Sequence, residues 1–392
     1  MFCPRDRCYS DLGSDGTVAV VIAGENVGDP YTVQTFAPDG STLGSGSDPE
    51  QIGDVLNDIA VDPVNKQVSN WCLVIIASYN ERPPRKIPCV IAFDYTIQDQ
   101  QWHDFCVTAE EEELARKTAS IWIQRMHFSD FDNKLYVVAN SHGGNMVLLL
   151  NPADIHNNND SLEGQAIQKY DIYTQTWGFH GHHVITYLAR YNPQDGALEA
   201  ASFIVPRFQH EDECHYSTPC VGDSVSADIS AGPDGTILVA HNASKYIEHR
   251  SNLTINGQTL AAYQGPQEAV LLGVPPALDR RLIWHHFAKT PGASQAVAVA
   301  AGIYQDRTHV VFIASSSENE FVRVNELPGT GRAPSSITQS ALIVLEMPGL
   351  ENPDIIDYYW GQDFIQPCSV RHNFSFLNDH IVSVKASDKS NF

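Results

Sequence analysis

Val137-Val138-Ala139-Asn140 is one copy of a short stretch that recurs along this chain. In the copies, a run of β-branched or bulky apolar residues includes Ala and is bounded by a small polar residue or a turn, which is typical of a buried strand. The others are Val20-Val21-Ile22-Ala23, Ile75-Ile76-Ala77-Ser78, Leu238-Val239-Ala240-His241, Phe312-Ile313-Ala314-Ser315 and Val382-Ser383-Val384-Lys385-Ala386. This recurrence predicts a repeated supersecondary unit, as in radial or stacked architectures.

Each repeat contains four predicted strands. In the best-defined copy they cover 57–61, 73–78, 89–93 and 101–105, with turn residues between them. Further copies open at Ile123, Ser226 and Val297. The crowded region 178–208 is either an inserted hairpin or a unit of its own. One surface helix is predicted, at 109–118, because acidic residues lead and basic residues follow.

Two strands at each end of the chain lack partners within a repeat. They cover 17–22 and 31–36 at the N-terminus and 370–376 and 381–386 at the C-terminus. Joining all four in one sheet closes a ring and removes its open edges. The sequence therefore predicts an all-β fold: a single β-propeller domain over residues 1–392. Five blades are preferred, with six as the alternative, and the N- and C-terminal strands share one blade.

The charge and the cysteine content limit the partners and the compartment. The formal net charge is −23, which argues against nucleic acid and anionic membranes as partners. No apolar run approaches the ~18 residues needed to span a bilayer. The eight cysteines lack zinc-site spacing and favour an oxidising compartment, with a disulfide between Cys214 and Cys220. Four glycosylation sequons are consistent with secretion, at Asn159, Asn242, Asn252 and Asn373.

The first strand of each predicted blade lines the axis of the ring, so polar residues on these strands are the candidate site. Aligning the copies on their turns places Asp58, Met126, Asp228, Ala300 and His372 in one register. The preceding register holds Asn57, Arg125, Ala227, Val299 and Arg371. The predicted catalytic residues are Arg371, His372, Arg125, Asp58 and Asp228. In the alternative, structural reading, the aspartates bond backbone amides of neighbouring blades and the arginines are their partners.

Substrate-binding residues are expected at the ends of the second strands and on long covering loops. They are His142, His241 and Tyr79 at the strand ends, and Tyr246 and Phe321 on the loops. Long loops over one face indicate walls around a small ligand. Acidic, basic and hydrogen-bonding groups in one cleft are the usual composition of a small-molecule site.

Asn57-Asp58-Ile59-Ala60-Val61-Asp62-Pro63 resembles the blade opening of gluconolactonase-type propellers, a family of calcium-dependent lactonases and esterases. The resemblance covers less than a tenth of the chain. It implies a calcium ion at the axis, with Asn57, Asp58 and Asp228 as the residues that could hold it. No glutamate matches the one that this family uses.

No dinucleotide-binding glycine pattern, P-loop or nucleophile-elbow motif occurs in the sequence. The favoured function is therefore a secreted enzyme that converts a small organic molecule by redox-independent acid/base and hydrogen-bond catalysis, without a cofactor. Dehydration, cyclisation and cycloaddition are the candidate reactions. The alternatives are a calcium-dependent lactonase or esterase and a sugar-binding propeller. A lectin repeats its polar residues from blade to blade, whereas these registers are unequal.

Overall fold

The computed structural model describes most of the chain, and most of the described residues are in β-strands. The described residues are 8–22, 31–47, 55–76, 85–105, 121–142, 145–157, 160–168, 184–204, 224–244, 254–255, 258–259, 267–287, 293–304, 307–316, 339–346, 354–361, 372–377 and 380–385. Within these ranges the sheets are antiparallel, and the helical structure is a short 3-10 turn at Met146–Leu149. None of the described helical structure is long and apolar enough to span a membrane. The predicted all-β class is confirmed.

Five four-stranded sheets, blades 1 to 5, follow one another along the described residues. Blade 1 contains β1 (Cys8–Leu12), β2 (Val18–Ile22), β3 (Thr32–Phe36) and β4 (Thr42–Ser47). Blade 2 contains β5 (Val55–Asp62), β6 (Gln67–Ile76), β7 (Arg85–Asp94) and β8 (Gln100–Asp104). Blade 3 contains β9 (Ile121–Ser129), β10 (Lys134–His142), β11 (Val184–Tyr191) and β12 (Leu198–Ile204).

The C-terminal half continues the same pattern. Blade 4 contains β13 (Ser224–Ala231), β14 (Ile237–Ser244), β17 (Gln267–Val274) and β18 (Ile283–His286), with a small hairpin of β15 (Thr254–Ile255) and β16 (Gln258–Thr259) between its second and third strands. Blade 5 contains β19 (Ser294–Tyr304), β20 (Arg307–Ser316), β21 (Gln339–Glu346) and β22 (Asp354–Gly361). A terminal pair, β23 (His372–Leu377) and β24 (His380–Lys385), follows.

The first strands of successive sheets lie side by side. β1 contacts β5, β5 contacts β9, β9 contacts β13, β13 contacts β19, and β19 contacts β23. Each sheet then extends outward from its first strand in the order of the sequence. This radial arrangement with the first strands innermost is a β-propeller, which confirms the predicted fold.

Among the described residues, the terminal strands lie in two separate sheets and not in the one shared blade that the sequence predicts. β1 supplies the innermost strand of blade 1, so β2 and β3 need no partner from the C-terminus. β23 and β24 pair with each other. The strand Cys8–Leu12 escapes sequence analysis because Cys-Tyr-Ser-Asp-Leu is short and has no apolar run.

The predicted four-strand unit is confirmed in blade 2, where the observed strands overlap all four predicted ones. The crowded region is not a separate blade. β11 and β12 complete blade 3, and the segment between β10 and β11 carries the extra residues, including the 3-10 turn. The predicted helix at 109–118 lies outside the described residues.

The two ends of the ring differ in the length of their connections. At one end, the hairpin end, short turns such as 13–17, 63–66 and 130–133 join first to second strands. The opposite end, the long-connector end, receives 205–223 between blades 3 and 4 and 317–338 within blade 5. Functional groups of propellers and barrels gather where long connections meet a rigid scaffold.

Turns of different blades touch one another at the hairpin end. The Lys66 ammonium of blade 2 donates to Asp15 of blade 1 at 2.7 Å. The Ser14 hydroxyl of blade 1 donates to Asp130 of blade 3 at 2.8 Å, across a separation of two blades. These contacts join the turns of the first three blades at the hairpin end.

The core consists of apolar side chains buried between neighbouring blades. One cluster joins blades 1 to 3 and includes Val33, Ile59 and Val137. A second joins blade 3 to blade 4 through side chains such as Val138 and Val239. A third joins blades 4 and 5 and includes Phe287 packed against Phe312, with ring centroids 5.3 Å apart. The apolar side chains of the recurring stretches in the second strands thus pack between neighbouring blades.

Candidate functional site

A β-bulge occurs at the same level in four successive inner strands. The ladder shifts by one residue between Leu56 and Asp58 in β5, and at corresponding points in β9, β13 and β19. The residues that directly follow the bulge occupy equivalent positions, and they are Asp58, Arg125, Asp228 and Ala298. We call this set the bulge row. A bulge re-aims a side chain, and bulges are common beside functional sites.

The bulge row corrects the register predicted from the sequence. Asp58 and Asp228 do share a position, but their equivalents in blades 3 and 5 are Arg125 and Ala298 rather than Met126 and Ala300. In blades 2 and 3 the turns have the same length, with Asp62 paired to Gln67 and Ser129 to Lys134, so the error in blade 3 comes from counting Asp130 as the last strand residue. In blade 5 the turn between Tyr304 and Arg307 is shorter, which displaces the count by two residues. The corrected register brings three of the five predicted catalytic residues into one row.

The two aspartates of the bulge row accept hydrogen bonds from the next blade. Asp58 Oδ2 accepts from the backbone N–H of Met126 at 2.8 Å. Asp228 Oδ2 accepts from the backbone N–H of Val299 at 3.0 Å. Both carboxylates are buried. These are the contacts of the structural alternative stated above, so the aspartates hold adjacent blades together whatever else they do.

Arg125 links blade 3 to blade 4 within the same row. Its Nε lies 3.3 Å from Asp228 Oδ1, and both side chains are largely buried. Burial raises the pKa of Asp228 to about 6, while the Arg125 guanidinium and the Val299 amide partly offset this rise. Asp228 is therefore ionised at pH 7 but close to its titration, as a general base requires.

Two further titratable residues, Asp11 and His127, lie near the bulge row on the side of the hairpin end. Asp11 Oδ2 accepts from the backbone N–H of Val61 at 2.8 Å. Burial raises the pKa of Asp11 to about 6, with a further contribution from the Asp58 charge. Burial lowers the pKa of His127 to about 4, so its imidazole is neutral at pH 7.

Asp11 and His127 are not evident from the sequence, for different reasons. Asp11 lies on the strand that was not recognised. His127 is two residues beyond Arg125 on β9, and residues two apart on a strand share a face. Period-two spacing from Arg125 is the available signal for His127.

His241, a predicted substrate-binding residue, is fully buried between blades 3 and 4. Its Nε2 lies 3.2 Å from the Ser224 hydroxyl and its Nδ1 lies 3.0 Å from the Ser226 hydroxyl. Burial lowers the pKa of His241 to about 3, so the ring is neutral. Both ring nitrogens thus contact serine hydroxyls of β13, and a role in binding substrate stays a prediction.

Asn140 and Asn242 make matching contacts between blades. Asn140 Oδ1 accepts from the Ser226 N–H at 2.8 Å and its Nδ2 donates to the Ser226 carbonyl at 2.9 Å. Asn242 contacts both backbone groups of Ala296 in the same way, at 2.7 and 3.2 Å. The equivalent of Asn140 in the repeat is therefore Asn242 rather than His241. The buried Asn242 amide is also inaccessible to a glycan, although it lies in a sequon.

The remaining predicted residues are only partly placed. His142 is exposed at the end of β10, on the long-connector end. His372 is the first residue of β23, and the structure describes its backbone position only. The others lie outside the described residues: Arg371, Tyr79, Tyr246, Phe321, Cys214 and Cys220. Their predicted roles stay predictions.

The bulge row does not fit a calcium site. Asp58 and Asp228 each direct an oxygen to a backbone N–H, and a guanidinium lies beside Asp228 where a cation would have to bind. Across the described ranges, no three His, Cys, Asp or Glu side chains are grouped as metal ligands. The calcium implied by the resemblance to gluconolactonase-type propellers finds no support in these contacts.

Comparison with solved structures finds similar chains of low sequence identity. The α-L-arabinofuranosidase Arb93A from Fusarium graminearum, in complex with an iminosugar inhibitor, is 9% identical with a TM-score of 0.39, over 92% of this chain and 96% of that chain. A mutant of the Synechocystis apocarotenoid oxygenase is 10% identical with a TM-score of 0.40, over 92% of this chain and 64% of that chain. The GH43_1 enzyme from Xanthomonas citri, in complex with xylotriose, is 10% identical with a TM-score of 0.34, over 78% and 81%. No family model and no curated protein matches the chain.

Proposed function

We propose that this chain is a β-propeller enzyme that converts a small organic molecule at the axis of the ring by redox-independent acid/base catalysis. The observation that carries the proposal is the bulge row, in which Asp58, Arg125 and Asp228 come from three consecutive blades. Its members lie in the middle of their strands, and turns of blades 1 to 3 contact one another at the hairpin end. Substrate would approach from the opposite, long-connector end.

The proposed roles follow from the contacts. Asp228, with its pKa raised to about 6, accepts a proton from the substrate. Arg125 keeps Asp228 ionised at neutral pH and donates hydrogen bonds to a carbonyl or hydroxyl oxygen of the substrate. Asp58 keeps the backbone of β9, and with it Arg125, in place. Proton abstraction beside a polarised oxygen suits dehydration or cyclisation, and a shaped pocket with hydrogen-bond donors also suits cycloaddition.

The residues of the bulge row differ from blade to blade, which favours one axial site over a site repeated in each blade. Aspartate, arginine, aspartate and alanine occupy the equivalent positions in blades 2 to 5. A sugar-binding propeller would be expected to repeat its polar residues. Binding of glycans at several equivalent sites per chain would favour that alternative instead.

The proposal is tested by comparing the wild type with Asp228→Asn and a matched control, Asp234→Asn, in a turn at the hairpin end. Each protein is incubated with a panel of β-hydroxy carbonyl compounds, polyenes, lactones and aryl esters, and the products are followed by mass spectrometry. We expect Asp228→Asn to lose more than about 100-fold of any conversion, because it removes the base. Asp234→Asn should retain it. Equal conversion by Asp228→Asn would remove the axial base from the mechanism, and hydrolysis of the esters alone would favour the lactonase alternative.

A further inference from the structure

The third strand of blade 2 carries a buried half of a disulfide. Cys89 lies on β7, its side chain is fully buried, and its sulfur is disulfide-bonded. The cysteines in the described residues are Cys8, Cys72 and Cys89. Cys8 on β1 stands opposite Ile22, whereas Cys72 on β6 stands directly opposite Cys89.

The register satisfies the distance that a disulfide requires. Directly opposite residues of an antiparallel pair have Cα atoms about 4.5 to 5.5 Å apart. A disulfide joins Cα atoms about 4.4 to 6.8 Å apart. Of the three cysteines in the described residues, Cys72 is therefore the one whose backbone position suits a bond to Cys89.

We propose that Cys72 and Cys89 form a cross-strand disulfide that fastens the second and third strands of blade 2 behind Asp58. Cys72 also pairs with Leu56 of β5, one position before the bulge that precedes Asp58. The link thus fixes β6, the strand that pairs with β5 at its bulge. It depends on no assumption about the reaction at the axis.

Formation of the link requires an oxidant. The two thiols lose two protons and two electrons by exchange with a protein or glutathione disulfide, which is reduced to its thiols. Such disulfide donors act in the secretory lumen and the bacterial periplasm, while the cytosol keeps thiols reduced. The proposed link is therefore a second reason, beside the cysteine count, to propose maturation in an oxidising compartment.

The decisive measurement is peptide mapping of the full-length wild-type protein, secreted and digested without reductant. We expect one disulfide-linked peptide pair that contains Cys72 and Cys89 and separates on reduction. Cys89 linked to any other cysteine, or alkylated as a free thiol in denaturant before reduction, would overturn the proposal.

Variants supply a second, independent reading. Cys72→Ser should make Cys89 alkylatable in denaturant and lower the Tm by roughly 5 °C, because a closed loop of this length constrains the unfolded chain. Adding Cys89→Ser should change the Tm little further, since the link is already lost. The control Cys220→Ser should leave the Cys72–Cys89 peptide pair intact. A Cys89 that stays protected in Cys72→Ser would contradict the pairing.

Discussion

Replacing Asp104 with Asn should stabilise this protein at neutral pH by an amount that depends on pH. Asp104 ends β8, the outermost strand of blade 2, and its side chain is 2% exposed. Burial raises its pKa from the ordinary value of 3.8 to about 8, with a smaller contribution from the charge of Asp195. At pH 7 the folded protein therefore holds this carboxyl protonated, whereas the unfolded chain ionises it.

The size of the effect follows from the two pKa values. Because the pKa of Asp104 is raised in the folded protein, its contribution to the free energy of unfolding is fully present below pH 4. That contribution is lost as the pH rises toward 8. Each pH unit in this window lowers the free energy of unfolding by about 1.4 kcal/mol, so proton uptake by Asp104 costs the folded state about 4 kcal/mol at pH 7. Asn has nearly the same shape and needs no proton, so the variant avoids this cost.

The assay is chemical denaturation of the wild type and Asp104→Asn in steps from pH 5 to pH 9. The difference in unfolding free energy should grow by about 1.4 kcal/mol per pH unit and level off above pH 8. The exposed control Asp154→Asn should show no such slope. Asp195→Asn should move the plateau of the wild type to lower pH. A difference that does not change with pH, or a variant less stable throughout, would show that Asp104 is ionised and paired in the folded protein.

Three further outcomes are expected. Asn242→Ala should lower the free energy of unfolding by about 2 to 4 kcal/mol in denaturation experiments, because both backbone groups of Ala296 lose a buried partner; a loss below about 1 kcal/mol would show that the amide is dispensable. Arg125→Gln should raise the pKa of Asp228 further. The free energy of unfolding of the variant should therefore nearly equal that of the wild type at pH 4 and be lower by about 3 kcal/mol at pH 8. A difference that is the same at both pH values would argue against the ion pair. Gly44→Ala should lower the free energy of unfolding by about 2 kcal/mol, because the new Cβ would lie 2.4 Å from the backbone of Thr96; an unchanged Tm would show that blades 1 and 2 can separate there.

The blade pattern was predictable because its signals are local. Alternating apolar residues and turn residues lie within a few positions of one another, and they gave the four strands of blade 2, although the second strand begins at Gln67, six residues before its predicted start. The shared terminal blade was wrong, since one short polar strand, Cys8–Leu12, was missing from the count.

The candidate site was less predictable because it depends on register. The sequence does not mark the start of a turn to within one residue, so alignment by turns paired Asp58 with Met126 rather than Arg125. The recurring apolar stretch likewise matches Asn140 to His241 instead of Asn242, one residue out of register. The contact between Arg125 and Asp228 joins residues far apart in the chain, and no local pattern encodes their distance.

The polar contacts between blades also bear on how similar sheets find their correct neighbours. Asp58 bonds the backbone of blade 3, the pair Arg125–Asp228 joins blade 3 to blade 4, and Asn242 bonds the backbone of blade 5. A sheet docked beside the wrong partner would bury a carboxylate or an amide that meets no complement, at a cost of about 1 to 3 kcal/mol for each group. A few polar side chains that differ from one interface to the next therefore favour the native order of the sheets around the ring.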